Sequence, residues 1–481
     1  MQVQELVGIV PWTFIAQICN LFIQMYLIKR FLFKPINEML EKRRAAADAE
    51  ITDAEAAKKE ANAMKVAKNC RYVEPQFTLR FDKETSEEIW DEALDALGAG
   101  ATYPTLYNDD VNVPAVMYGL RVDEKTAGQY VPFGCTEFVI QGQSTGTPNI
   151  CINLLKLLTI YMNDGIDPID GKRKSGPVSL KKLEEYQTFE EFYDGYKALL
   201  DYYLDLSVKA QYHSYEVMNQ HVSFLFTSLL TDDCIARGKA LLDGGVRYLG
   251  GTNETYGNIN TSDSLWVIRD LVFNQKKYTL RQLNDAMLAN FNGYEALRKD
   301  CLNCDKYGND LETADTMAND LYEFVAKGVR NRGIAIGMQY FLIVISNNQL
   351  NTEWGNRTAA SPDGRLSCMY MNPANNPQGG ANKSGPTAML NSLAKFDAKY
   401  HGGSVQNIKF SPSMFNENRA VIKSLFKTYF AKGGCHLMVT VVDKGVLEDA
   451  VEHPENYPDL IVRVSGFSAV FVDLSPNIQQ E

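Results

Sequence analysis

Composition changes abruptly near residue 70, and no one domain accounts for both sides of the change. Val7 to Phe33 reads VGIVPWTFIAQICNLFIQMYLIKRFLF, an apolar run up to Lys29 that Gln17, Asn20 and Gln24 interrupt. Residues 7–28 supply about 22 positions, or about 33 Å of helix, enough to cross a bilayer. The three amides fall near one face, where they would contact other membrane helices. Positive charge follows the run instead of preceding it, which argues against a signal peptide. The tail before it holds Glu5 and no Lys or Arg, whereas Lys29, Arg30, Lys34, Lys42, Arg43 and Arg44 follow. The positive-inside rule then predicts one transmembrane helix, about residues 7–33, anchoring the chain in the inner (cell) membrane with its large body in the cytoplasm.

Residues 36–69 are rich in Ala, Glu and Lys and lack Gly and Pro. That composition predicts one long exposed helix. The order of apolar anchor, FLFKPI turn and LEKR stalk entry resembles the membrane anchor and early stalk of the ATP synthase b subunit. The resemblance covers residues 1–69 and implies a non-catalytic stator element in contact with ATP synthase F0 subunits.

Beyond Cys70 the aromatic, Gly and Asn content rises. The strongest later apolar run, residues 334–345, contains Gly337 and Gln339 and, at about 12 residues, has the length of a core helix. Helical blocks alternate with short apolar strands at 404–410, 437–442 and 460–464, which predicts an α/β domain over residues 70–481. Residues 375–385, NNPQGGANKSG, read as a solvent-facing or lid-like loop. Apolar content of 45% and charged content of 22% fit a folded chain. A net charge of −11 leaves no footprint for general nucleic-acid binding.

Nine cysteines without regular spacing read as reduced thiols, not a disulfide framework. Cys301 and Cys304 form a single CxxC pair, half a zinc site, expected in a surface loop. The five histidines (His213, His221, His401, His436, His453) make no HExxH or HxH spacing. No metal centre is predicted.

Two positions stand out for chemistry. In Val131 to Asn149, VPFGCTEFVIQGQSTGTPN, Cys135 and Glu137 lie two apart between glycines, ahead of a helix expected near Ile150. Ile461 to Leu474 reads IVRVSGFSAVFVDL, with Gly466 inside a strand-like run. Glycine there weakens a strand by roughly 0.5–1 kcal/mol and marks a bulge, a bend or a close approach of backbone.

These segments resemble the cysteine loop and the radical signature of the glycyl radical enzyme superfamily, in its pyruvate formate-lyase and glycerol dehydratase-like branch. PQFTLR (75–80), YPTLYND (103–109), KYGND (306–310), SPDGR (361–365), KSGPT (383–387), IKFSPS (408–413) and HPENY (453–457) follow in the family's order. The resemblance spans residues 71–481. It implies the C-terminal half of the glycyl radical α/β barrel, with a Cys loop at about 131–149 and a glycyl radical region at about 430–481.

It further implies a radical on Gly466, installed by a radical-SAM activase, with no dissociable cofactor. A radical on a glycine α-carbon is planar and shared with the flanking amides, and a side chain would disturb that plane. Cys135 would relay the radical to a small-molecule substrate. Members that transfer acyl groups carry two adjacent cysteines, whereas Thr136 follows Cys135 here. The Cys-Xaa-Glu order is similar to the dehydratase and lyase members, in which Glu137 would be the general base, its pKa raised by burial. Asn149 stands where some diol-dehydrating members place a substrate-contacting aspartate. An amide cannot act as a base, which disfavours glycerol or propanediol.

The resemblance starts partway through the family's fold, so a further chain supplying the first half, or a homo-oligomer, is expected. Three readings stay open at this level: a glycyl radical lyase completed by a partner, a membrane stator protein, and a non-functional gene fusion.

Overall fold

The computed structural model describes residues 76–146, 149–345, 349–464 and 466–479, together with residues 19, 22–23, 26, 30, 62–66 and 73. The chain divides into residues 1–63 and residues 64–481. The anchor helix expected at 7–33 and the stalk at 36–69 lie almost wholly outside the described residues. Among the described residues no helix is long and apolar enough to cross a membrane. The expectation of a body anchored in the cell membrane is corrected accordingly. Phe189–His221, with 33 residues, and Glu312–Ala335, with 24, have the length but carry charges throughout. A bilayer needs about 20 predominantly apolar residues in succession.

In the second unit, β1 (Thr78–Phe81) and β2 (Thr105–Asn108) pair in parallel around helix α1 (Glu87–Gly98). Ser86 caps α1 by accepting from the Ile89 amide, and the face of Ile89, Trp90, Ala93, Leu94 and Leu97 is buried. Helix α2 (Asp109–Leu120) leads into the hairpin of β3 (Tyr130–Phe133) and β4 (Glu137–Ile140).

Next comes a wholly parallel sheet of β5 (Ile150–Asn153), β6 (Gly250–Tyr256), β7 (Tyr340–Ile345) and β8 (His401–Ser404), in that order. Parallel neighbours need long crossovers. These run through α3 (Leu154–Met162) and α4 (Phe189–His221), then through α5 (Asn258–Val267) and α6 (Glu312–Ala335). Helices α5 and α6 pack on one another, and α6 packs on β7. Strand β7, YFLIVI, is buried at every position, which is why its sequence is a continuous apolar run without alternation.

The chain then returns to the first sheet. β9 (Asn407–Phe410) pairs in parallel with β10 (His436–Val441), and β10 joins β2 antiparallel, giving the order β1-β2-β10-β9. Between them α7 (Arg419–Ala431) packs on α1. Phe430 meets Phe81 at 4.7 Å between ring centroids, and Lys423 pairs with Glu87 and Asp91 at 2.7 Å. Last come α8 (Lys444–Glu452) and the hairpin of β11 (Ile461–Arg463) and β12 (Ser468–Val470). These share a small core of their own, built on Ala450, Val462 and Phe471.

Several local expectations are corrected. The run 334–345 is not one helix: α6 ends at Ala335, Gly337 turns with φ of 89°, and Tyr340–Ile345 is a strand. A strand, not a helix, begins at Ile150, and the helix starts at Leu154. Cys301 is buried at the end of helix Glu295–Asn303, not set in a surface loop. Burial pushes its thiol up to about 12 and that of Cys304 up to about 11. In the segment expected to face solvent, Asn375 and Asn376 are buried.

Candidate active site

Both chemical motifs sit at hairpin tips. Gly134, Cys135 and Thr136 form the turn between β3 and β4, whose last register pair is Phe133 with Glu137. Gly134 takes a φ of 54° and Thr136 a φ of 81°. The left-handed region suits glycine but strains a β-branched residue, so the surroundings must hold Thr136 there. They do so by close packing. A Cβ on Gly403 would overlap the Thr136 carbonyl oxygen and stand 2.7 Å from its Oγ1.

Gly466 is the buried tip between β11 and β12. A Cβ on it would overlap the Cys135 Sγ and lie 3.0 Å from the Cys135 Cα and 3.1 Å from its Cβ. The two tips, 331 positions apart in sequence (466 − 135), are therefore in contact, with no room for a side chain at Gly466. Cys135 packs on its other sides against Ala374, Val405 and Met438. Two further contacts fasten the Gly466 hairpin. The Gln76 amide donates to the Gly466 carbonyl at 3.0 Å, and Arg463 donates to the Tyr103 hydroxyl at 3.1 Å.

Glu137, the first residue of β4, is 4% exposed. Its Oε1 accepts from the Asn149 amide at 3.2 Å. Its Oε2 lies 3.1 Å from where a Cβ on Gly134 would stand and has no hydrogen-bond partner among the described residues. Burial pushes its pKa up to about 7, and the negative charge of Glu254 adds to the rise, against hydrogen bonds from Asn149 and from backbone amides.

Asn149 joins two carboxylates. It also donates to Glu254 Oε1 at 2.7 Å, and its own oxygen accepts from the Thr252 hydroxyl. Thr252, Glu254 and Tyr256 alternate along β6 and so share one face, and the Tyr256 hydroxyl donates to Glu254. Cys151 stands opposite Glu254 in the strand register. Burial first, and then Glu254, pushes its thiol up to about 12. All four residues singled out in the sequence thus meet: Cys135 touches Gly466, and Glu137 and Asn149 are bonded beside them. Glu254 is the member that sequence reading missed. Its signal was a glutamate inside the strand Gly250–Tyr256, whose other positions are all buried.

A family model described as Pyruvate formate lyase-like matches residues 57–350, and one described as Glycine radical matches residues 371–472. The chain belongs to the pyruvate formate lyase-like family and carries its glycine radical domain. The first match begins within residues 36–69, and the resemblance to ATP synthase gains no support from these matches. Trans-4-hydroxy-L-proline dehydratase of Clostridioides difficile is 30% identical over 415 residues, which cover 85% of this chain and 52% of that one. (2S)-3-Sulfopropanediol dehydratase of Klebsiella oxytoca is 28% identical over 423 residues, 85% of this chain and 50% of that one. Among solved structures, the glycerol-bound form of the B12-independent glycerol dehydratase from Clostridium butyricum superposes with a TM-score of 0.82 at 29% identity. It is matched over 87% of this chain and 53% of that one. The chain therefore spans about half the length of the relatives it matches.

Proposed function

We propose that this chain is the radical-bearing part of a glycyl radical lyase of the dehydratase type, with Gly466 as the radical store, Cys135 as the relay and Glu137 as the base. The carrying observation is the contact between the Gly466 tip and the Cys135 sulfur, which leaves no space for a side chain on the glycine. Hydrogen moves across that contact from sulfur to the Gly466 α-carbon, leaving the sulfur able to take a hydrogen atom from a substrate carbon. Glu137 then accepts the proton of the hydroxyl on that carbon, which drives out the group on the neighbouring carbon. A leaving hydroxyl departs with the same proton as water. The product radical recovers its hydrogen from Cys135, and Gly466 becomes the store again. No net oxidation occurs.

A carboxyl with a pKa near 7 suits this exchange, because it both takes and returns a proton at neutral pH. Thr136 after Cys135 supports dehydration over acyl transfer, which needs a second thiol. The substrate is a small molecule with a hydroxyl next to a carbon bearing a leaving group. The partner is a radical-SAM activating enzyme.

Anaerobic electron paramagnetic resonance after treatment with a radical-SAM activase tests the reading. A doublet is expected in the wild-type chain and is absent from Gly466→Ala. Silence of the wild type, under conditions in which a relative of known activity gives its doublet, sinks the proposal.

A further inference from the structure

The segment PQFTLR has no role in the chemistry above, yet Gln76 lies within it and touches Gly466. Its Nε2 donates to the Gly466 carbonyl oxygen at 3.0 Å across 390 positions of sequence. The chain beneath Gln76 is tied into the first sheet. Phe77, the next residue, accepts from the Thr105 amide at 3.1 Å, and the chain continues directly into β1. A second link ties the same two regions together. Arg463 donates to the Tyr103 hydroxyl at 3.1 Å, and that hydroxyl donates to the Val73 carbonyl at 2.9 Å. Arg463 also donates to Ser468 at 3.3 Å, across the register pair next to the tip. The hairpin that carries Gly466 is thus tied to Gln76 at its tip and, through Tyr103, to Val73 at the register pair next to the tip.

We infer that Gln76 is a positioning residue for the radical glycine: its amide fixes the plane of the Gly466 carbonyl and holds the tip against Cys135. The inference rests on the proposed role of Gly466 and adds to it. An unpaired electron on the α-carbon is shared with the carbonyl only while the two remain coplanar, and a donor on the oxygen favours that sharing by drawing electron density outward. The residue type matters as well. A carboxamide N–H is a poor hydrogen-atom donor, so Gln76 can touch the radical site without quenching it, whereas a thiol or a phenol could not.

Two variants and two readouts test this. Gln76→Glu keeps the shape and removes the donor, and Gln76→Leu removes both polar atoms. The Gly-Phe pair at 466–467 occurs once in the sequence. A chain labelled with carbonyl-13C glycine and 15N phenylalanine therefore gives one correlation signal, that of the Gly466 carbonyl. Loss of the hydrogen bond is expected to move its carbon resonance upfield in both variants, and an unmoved resonance overturns the inference. This arm needs no radical, so it decides the role of Gln76 at Gly466 even if the activated wild type proves silent. In the activated protein, Gln76→Glu is expected to show an altered doublet splitting and about fivefold faster anaerobic decay, the ratio set by one net hydrogen bond. A doublet with wild-type splitting and lifetime in both variants also overturns it.

Discussion

Replacing Glu137 by glutamine should stabilise the folded chain, and only at high pH. The carboxyl is 4% exposed, and its pKa moves from an ordinary 4.5 up to about 7, chiefly through burial. Between those two values the folded protein keeps a proton that the unfolded chain has lost. Stability therefore falls as pH rises from about 4.5 to about 7 and is level beyond. At about 1.4 kcal/mol for each tenfold change, the full loss is on the order of 3 kcal/mol. A glutamine cannot ionise, and its carbonyl oxygen still accepts from Asn149. In urea unfolding, Glu137→Gln is expected to exceed the wild type by about 3 kcal/mol at pH 8 and by less than about 1 kcal/mol at pH 5. Asp263 is also buried and raised to about 7, but it is common to both proteins and cancels from the difference. A gap of the same size at both pH values refutes the reasoning. The variant is expected to give up turnover, because it keeps the hydrogen bond but loses the base.

Cys135→Ala is expected to retain the Gly466 doublet after activation while product formation falls to background, measured by paired resonance and product assays on one sample. Gly403→Ala would press a methyl group onto the Thr136 carbonyl. It should shift the Cys loop by about 1 Å and cut turnover about 100-fold at an unchanged doublet intensity. Phe430→Ala removes the ring lying between Phe81 at 4.7 Å and Trp90 at 6.1 Å. It should lower stability by about 3–5 kcal/mol in urea unfolding, against the same measurement on the wild type.

What was legible in the sequence depended on how local its cause is. Cys135, Glu137 and Gly466 could be singled out because each motif lies in a few neighbouring residues, and the structure brings Gly466 against Cys135. The α/β class was readable from alternating blocks. Period failed where burial was complete. Residues 340–345 are apolar on both faces of β7, and a continuous apolar run looks the same in a buried strand as in a core helix. Gly337 was the one local clue that residues 334–345 are two elements. Residues 375–384 do form a loop, with Gly379, Gly380, Lys383 and Ser384 exposed, but composition gave no sign of its buried start. Asn375 and Asn376 are polar and yet buried, with Asn376 donating to the Asn407 carbonyl at 2.7 Å and accepting from its amide at 2.8 Å. Those partners lie 31 positions away, beyond any local pattern.

Glu254 shows the same limit inside the site. Its distance from Asn149 in sequence, 105 positions, hides a 2.7 Å hydrogen bond. The consequence bears on the amide itself. Two carboxylates meet at Asn149, and the charge of Glu254 adds to the upward shift of Glu137. An aspartate at 149 would add a third acid to the same spot. The amide instead offers one hydrogen to each carboxylate and brings no charge of its own. The amide at 149 thus lets Glu137 and Glu254 share one donor group without placing a third negative charge between them.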